Sequence, residues 1–177
     1  LWNDRPLIPD NEIEVQPIDF AGKTSKEKIN AIRNFLKTKK ADGLLISALD
    51  EIAWTLNLRG TDVHCNPVFV SYLLITPEKV ELFINEIKIP DFISDAYLPN
   101  EGITVFDYTA VEPHLEQTNP SYVFYQEPSL TNETLFAAIN RKHKIIQGKT
   151  PIALMKAVKN TAEISGFHHA MLRDGVA

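Results

Sequence analysis

Apolar residues recur at helical spacing in several parts of the chain, with polar positions between them that would face solvent. In the clearest case Ile29, Ile32 and Leu36 share one face of a segment that opens with Thr24 and Glu27, the two ends of a capping box. A helix is therefore predicted to start at Thr24. Shorter patterns of the same kind predict helices over residues 50–57, 109–117 and 131–140.

Short apolar runs of strand length separate these helical segments, at residues 44–46, 103–108, 122–125 and 144–147. Two further runs, 68–76 and 80–84, flank a turn sequence and predict a β-hairpin. Strands that alternate with helices, together with one hairpin, indicate an α/β fold. We expect a mixed β-sheet flanked by helices on both faces.

The two ends of the chain differ from this pattern. Residues 1–19 contain three prolines and little periodicity, and they are interpreted as a linker from a preceding domain. Near the other end, Asn160 and Glu163 form a second capping box, and apolar residues follow at helical spacing. Because such an apolar face needs a partner, we expect the chain to be a piece of a larger protein.

Composition narrows the class of protein. With 177 residues, 44% of them hydrophobic, the chain is long enough for one domain with its own core. The single cysteine, Cys65, excludes an intrachain disulfide and suits a reducing compartment. A net charge of −5 without a basic stripe argues against a nucleic-acid partner. No apolar run approaches the ~18 residues of a membrane span, so no membrane partner is expected.

Candidate chemistry concentrates in residues 57–67, between a predicted helix and a predicted strand. This segment contains Arg59, Asp62, His64, Cys65 and Asn66 with one glycine and one proline. Polar loops on a rigid scaffold are common binding sites, but the same residues also suit a structural turn in which Arg59 pairs with Asp62. The residues alone leave both interpretations open.

Other chemistry has less support in the sequence. Cys65 beside His64 suggests a thiol nucleophile, yet adjacent side chains rarely point at each other. His168 and His169 suggest zinc, but neighbours on a helix point about 100° apart and no further ligand follows at the required spacing. The sequence also lacks a Gly-rich phosphate loop, a GxSxG elbow and an HExxH pair.

Three stretches resemble the Xaa-Pro aminopeptidases of the cytosolic, three-domain type. The first is the Trp-x-Asp-Arg-Pro string at residues 2–6, which in that family lies between the first and second domains. The second and longest covers residues 48–54, 57–60, Asp62, 66–69 and 71–72, a signature of the middle domain. The third covers residues 156–160 with Glu163, Gly166, Arg173 and Asp174, and it resembles the first helix of the catalytic domain.

This resemblance implies that residues 20–155 form a creatinase/prolidase N-terminal-like domain and that 156–177 begin a "pita-bread" metallopeptidase domain. The parent enzyme would be a cytoplasmic homodimer that removes the first residue from peptides with proline in second position. Two divalent metal ions, usually manganese, would be held by two Asp, one His and two Glu. The motifs that carry those ligands have no match in this chain, so no catalytic residue, metal ligand or cofactor is assigned to it.

The resemblance does assign a role to the polar segment. Arg59, Asp62, His64 and Asn66 are expected at the substrate entrance or against the catalytic domain. The sequence departs from the family's pattern at one point, because relatives often place histidine directly before Asn-Pro and here that residue is Cys65. Two alternatives stay open: a non-catalytic protein-binding module, as in a histone chaperone with an inactive peptidase fold, and an independent thiol enzyme using Cys65.

Overall fold

The structure, a computed structural model, describes residue 4 and residues 7–176. The helices are α1 (Ile18–Ala21), α2 (Ser25–Thr38), α3 (Leu49–Leu56), α4 (Leu98–Glu101), α5 (Val111–Gln117), α6 (Glu133–Lys142), α7 (Pro151–Ala157) and α8 (Thr161–Asp174). The strands are β1 (Glu14–Val15), β2 (Leu44–Ile46), β3 (Leu58–Arg59), β4 (Tyr72–Ile75), β5 (Val80–Phe83), β6 (Thr104–Phe106), β7 (Val123–Gln126) and β8 (Lys144–Gln147). A π-helical turn over Ile93–Tyr97 leads into α4.

The central sheet has the strand order β2-β4-β5-β6. The β2–β4 and β4–β5 pairs are antiparallel, the latter being the predicted hairpin, whereas β5 and β6 are parallel. A parallel pair, β7–β8, lies beside β2, because the Asp42 amide donates to the Val123 carbonyl (2.7 Å) and the Tyr125 amide to the Gly43 carbonyl (2.8 Å). The predicted mixed sheet is confirmed.

Alternate residues of the sheet face opposite layers of helices. Leu44, Ile46 and Leu73 belong to the core cluster that also contains apolar residues of α2, α3 and α7. Leu45 and Leu74 point the other way, into a second cluster with α5 and α6. This alternation follows from the two-residue period of a strand. Both faces of the sheet are therefore buried under helices, as predicted.

Side chains that accept hydrogen bonds from the first turn set where the helices begin. Thr24 accepts from the Glu27 amide (3.2 Å) and Glu27 accepts from the Thr24 amide (2.7 Å), so the predicted capping box of α2 is confirmed. Asn160 and Glu163 do the same for α8, at 3.0 and 2.9 Å. The helix predicted over residues 131–140 begins two residues later, because Asn132 is its N-cap.

Part of the predicted linker packs against the domain. Ile13 is buried in the core, and the two residues after it form β1, which pairs with β3. The Ile13 amide donates to the Lys88 carbonyl (2.9 Å), which holds this stretch against the domain. A strand of two residues is too short to show alternation, so the sequence pattern did not reveal it. The Trp-x-Asp-Arg-Pro string lies outside the described residues except for Asp4.

The chain also folds back on itself where α8 begins. The Asn160 side-chain amide donates to the Ala21 carbonyl at 2.8 Å, at the end of α1. Gly22, which follows with a φ of 68°, lies so close that a Cβ there would be 2.3 Å from the Asn160 side-chain oxygen. Within the part of the chain that the structure describes, no helix is long and apolar enough to cross a membrane.

Candidate functional site: a polar loop and an adjoining groove

The polar segment singled out in the sequence is an ordered loop between β3 and β4, here called the Asp62 loop (residues 60–70). Its two sides are joined by backbone hydrogen bonds, including Asp62 amide to Val68 carbonyl at 3.2 Å. A tight turn closes its tip, where the Asn66 amide donates to the Val63 carbonyl at 3.1 Å. Gly60 permits this close approach, since a Cβ there would lie 2.8 Å from the Phe69 Cβ. The loop thus projects from the domain as a turn held by its own backbone hydrogen bonds.

The base of the loop is held by a buried ion pair between Asp62 and Lys88. Both side chains are fully buried, and one Asp62 oxygen accepts from the Lys88 ammonium and from the Val70 amide, the latter at 2.6 Å. The other Asp62 oxygen has no hydrogen-bond partner among the described residues. Asp62 therefore pairs with Lys88 and not with Arg59, and its carboxylate anchors the loop from inside the protein.

The tip of the loop presents His64, Cys65 and Asn66 to solvent. Cys65 has a positive φ of 60°, as expected at a tight turn, and it is exposed. No hydrogen bond or ion pair joins these three side chains to other residues in the described ranges 4 and 7–176. The described residues thus provide no base for Cys65, and the tip offers its polar groups outward.

Arg59 lies away from the tip, in a groove of about 780 Å³ between the domain and α8, here called the Arg59 groove. One terminal nitrogen of its guanidinium donates to the carbonyls of Ala53 (3.0 Å) and Leu58 (2.8 Å). Burial lowers the pKa of Arg59, and the nearby carboxylates of Glu14 and Glu163 oppose that shift. The groove is lined by Gln16, Phe20, Ala21, Lys28, Trp54, Arg59, Glu163, Gly166, His169, Leu172 and Arg173.

A buried lysine at the floor of this groove connects three helices. The Lys28 ammonium donates to the Trp54 carbonyl at 2.7 Å and to the Asn57 side chain, and it lies 4.2 Å from the centroid of the Trp54 ring. Trp54 in turn donates its indole N–H to Glu163 of α8 at 3.1 Å. Burial lowers the pKa of Lys28 to about 8. The sequence pattern missed Lys28, because a lysine in a surface helix reads as exposed.

A second group of ionisable side chains lies where α3 meets α7. Glu51 is buried there, and burial, more than the neighbouring Asp50 carboxylate, raises its pKa to about 7. Lys156 of α7 pairs with Asp50 of α3. The Thr150 amide, just before α7, donates to Glu127 at 2.7 Å. This group joins the central domain to the chain that leads into α8.

The four predicted site residues therefore do not form one constellation. Asp62 is inside the protein, His64 and Asn66 are at the loop tip, and Arg59 is in the groove. Among residues 4 and 7–176, no three His, Cys, Asp or Glu side chains come together in a way that could hold a metal ion. The described residues thus do not fit a two-metal centre.

Comparison with known proteins places this arrangement in a family. Residues 4–163 match the model of the creatinase/prolidase N-terminal domain. The chain belongs to the creatinase/prolidase N-terminal domain family. A domain of this family from an X-Pro dipeptidase of Streptococcus pyogenes shares the fold, with a TM-score of 0.51 and 17% identity over 75% of this chain and 99% of that one.

Two more similar relatives are larger than this chain. Xaa-Pro aminopeptidase ApepP of Drosophila melanogaster is 39% identical over 182 residues, which cover 100% of this chain and 29% of that protein. The structure of X-prolyl aminopeptidase from Caenorhabditis elegans, described as a cytosolic enzyme with a di-nuclear active site, superposes with a TM-score of 0.89. It is 27% identical over 98% of this chain and 29% of its own. The chain thus spans about 30% of the length of the curated relatives it matches.

Proposed function

We propose that this chain is a non-catalytic middle domain of a metal-dependent Xaa-Pro aminopeptidase, an enzyme that removes the first residue from peptides with proline in second position. The observation that carries the proposal is 39% identity to the Drosophila Xaa-Pro aminopeptidase across the whole chain. The high structural similarity to the C. elegans enzyme supports it further. The low identity to the dipeptidase domain carries only the fold.

Within that parent, residues 1–19 would link a preceding domain to the domain at 20–155, and residues 156–177 would begin the catalytic domain. Two divalent metal ions, with manganese as the proposed metal, would be held by residues of the parent enzyme outside this chain. The di-nuclear site of the C. elegans protein supports the number of metals, and its description as cytosolic supports a cytoplasmic location. A homodimer of the parent protein completes the proposal.

The proposed contribution of this domain is to shape the substrate entrance and subunit contacts. The exposed tip with His64 and Asn66 is the part of the Asp62 loop available to a peptide or to another domain. Asp62 supports that tip from the buried side through Lys88. Arg59 belongs to the same function through the groove against α8, where the next domain begins in this proposal.

The test is the peptidase activity of the full-length protein compared with that of this chain. The full-length protein, supplied with manganese, is expected to release the first residue of an X-Pro peptide and to lose that activity after chelation. This chain is expected to be inactive under both conditions. A full-length protein that folds, binds metal and cleaves no X-Pro peptide would contradict the proposal and favour the protein-binding module instead.

A further inference from the structure

The Arg59 groove carries positive charge on a chain that is acidic overall. Its lining contains Lys28, Arg59 and Arg173, whereas Glu163 is the one carboxylate among its described lining residues. The chain as a whole has a net charge of −5. A concave site lined by one sign of charge raises the local concentration of ligands of the opposite sign. The groove therefore favours an anion.

The Arg59 guanidinium is held in place and still has donors to offer. Its bonds to the Ala53 and Leu58 carbonyls use a single terminal nitrogen. The other two nitrogens form no hydrogen bond, and no carboxylate lies within ion-pair distance of Arg59, among the residues that the structure describes. A guanidinium offers a planar fork that matches a carboxylate with two parallel hydrogen bonds. Fixing that fork in advance reduces the entropy lost on binding.

Glu14 and Glu163 act on Arg59 only from beyond ion-pair distance. Glu163 has other hydrogen-bond partners. The Glu163 carboxylate accepts hydrogen bonds from the Trp54 indole N–H (3.1 Å) and from the backbone amide of Asn160 (2.9 Å). The same carboxylate would repel a second negative charge in the groove. This favours a singly charged carboxylate over a phosphate dianion.

Apolar surface lines the groove on both sides of these charges. Phe20 and Leu172 are 57% and 69% exposed, and Trp54 is part of the floor. We propose that the Arg59 groove binds the C-terminal carboxylate of a peptide whose last side chain is apolar, with the carboxylate on Arg59 and the side chain among Phe20, Trp54 and Leu172. Binding of this kind does not require peptidase activity, so it can be tested separately from the proposed function.

Tryptophan fluorescence can report this binding directly, because the sequence has two tryptophans and a Trp2→Phe background leaves only Trp54. The probes are N-acetyl-Ala-Phe with a free carboxylate, the same dipeptide as its amide, and inorganic phosphate. We expect a saturable fluorescence change with the free acid. The amide is expected to bind more weakly by roughly tenfold or more, which is the size of a lost charge-assisted hydrogen bond. Equal affinity for acid and amide would overturn the proposal, and tighter binding of phosphate would overturn the choice of a carboxylate.

Variants locate the site within the chain. Arg59→Gln is expected to weaken binding of the free acid by roughly tenfold or more, and Arg173→Gln by roughly two- to fivefold. Arg173 is exposed, so its variant remains informative if Arg59→Gln fails to fold. Arg141→Gln, an exposed position on α6 that pairs with Glu112 and Glu116, is the matched control and should leave affinity unchanged. The proposal would be overturned if Arg173→Gln left the affinity for the free acid unchanged, or if Arg141→Gln weakened binding as much as the groove variants do.

Discussion

The Asp62 carboxylate and the Lys88 ammonium form an ion pair in which both side chains are fully buried. The pair joins the Asp62 loop to the short turn Glu86–Lys88, whose last carbonyl also receives the Ile13 amide. Three segments distant in sequence therefore meet at one pair of charges. Removing one partner would leave the other as an unpaired charge in the interior, which is far more costly than losing an exposed pair.

Lys88→Met is expected to destabilise the chain strongly, by about 3–5 kcal/mol, because it leaves the Asp62 charge buried and unpaired. The double variant Asp62→Asn, Lys88→Met should recover part of this loss, since no net charge then remains. Urea denaturation measures both free energies of unfolding. Lys37→Met, at an exposed position on α2, is the control and should change stability by less than about 0.5 kcal/mol. A Lys88 variant as stable as this control would contradict the interpretation of the pair.

The raised pKa of Glu51 predicts how the free energy of unfolding changes with pH. The Glu51 pKa is raised to about 7 in the folded chain, from an ordinary value of 4.5, so the unfolded chain loses this proton first as pH rises. The stability contributed by protonated Glu51 is present below pH 4.5, falls between pH 4.5 and 7, and is lost above 7. The slope from this group is at most about 1.4 kcal/mol per pH unit. Glu51→Gln should flatten the decline in unfolding free energy between pH 5 and 7.

The matched control for Glu51 is Glu116→Gln on α5, where the side chain is exposed. It should leave the pH dependence of the wild-type chain in place. If Glu51→Gln and wild type decline in parallel across this window, the raised pKa of Glu51 is refuted.

Asn160→Ala removes both a helix cap and a tertiary contact. The Asn160 side chain accepts from the Glu163 amide and donates to the Ala21 carbonyl, so its loss affects the start of α8 and its attachment to α1. We expect a loss of roughly 1–2 kcal/mol, measured by urea denaturation. Ser165→Ala, at an exposed position within α8, should cost less than about 0.5 kcal/mol. Equal costs for the two variants would show that the cap does not anchor α8.

Asn66→Ala in the full-length protein tests whether the loop tip contacts substrate in the proposed peptidase. The backbone bonds of the turn do not require the Asn66 side chain, so the fold should persist. We expect KM for an X-Pro peptide to rise by roughly two- to tenfold, the size of one lost hydrogen bond, with a smaller change in kcat. Asn100→Ala, at an exposed position in α4, is the control. A decrease confined to kcat would indicate instead that the tip contacts the substrate mainly in the transition state.

Much of the fold could be predicted from local sequence patterns. The capping boxes at Thr24 and Asn160 and the hairpin of β4 and β5 each depend on residues close together in the chain. The apolar run Leu44–Ile46 predicted a strand, and the structure buries it on both faces of the sheet. The helix predicted over residues 131–140 begins two residues later in the structure, because the Asn132 side chain caps it and the apolar pattern did not indicate that cap.

The candidate site was less predictable, because its contacts join residues far apart in sequence. Asp62 was recognised as a polar loop residue, but nothing near it in sequence pointed to Lys88, 26 residues later. Lys28 likewise looked like a solvent-facing residue of α2, whereas it is buried against Trp54. The pattern identified the polar segment, but not the contacts that bury Asp62, leave His64 and Asn66 exposed and place Arg59 in the groove.

The missing side chain of Gly22 has a consequence for how α8 is held. Any β-carbon at position 22 would collide with the Asn160 side chain, in addition to the strain of a positive φ. The Asn160 amide group would then have to move, and with it the hydrogen bond to the Ala21 carbonyl that ties the start of α8 to the end of α1. The attachment of α8 to this domain therefore depends in part on position 22 carrying a hydrogen atom in place of a side chain.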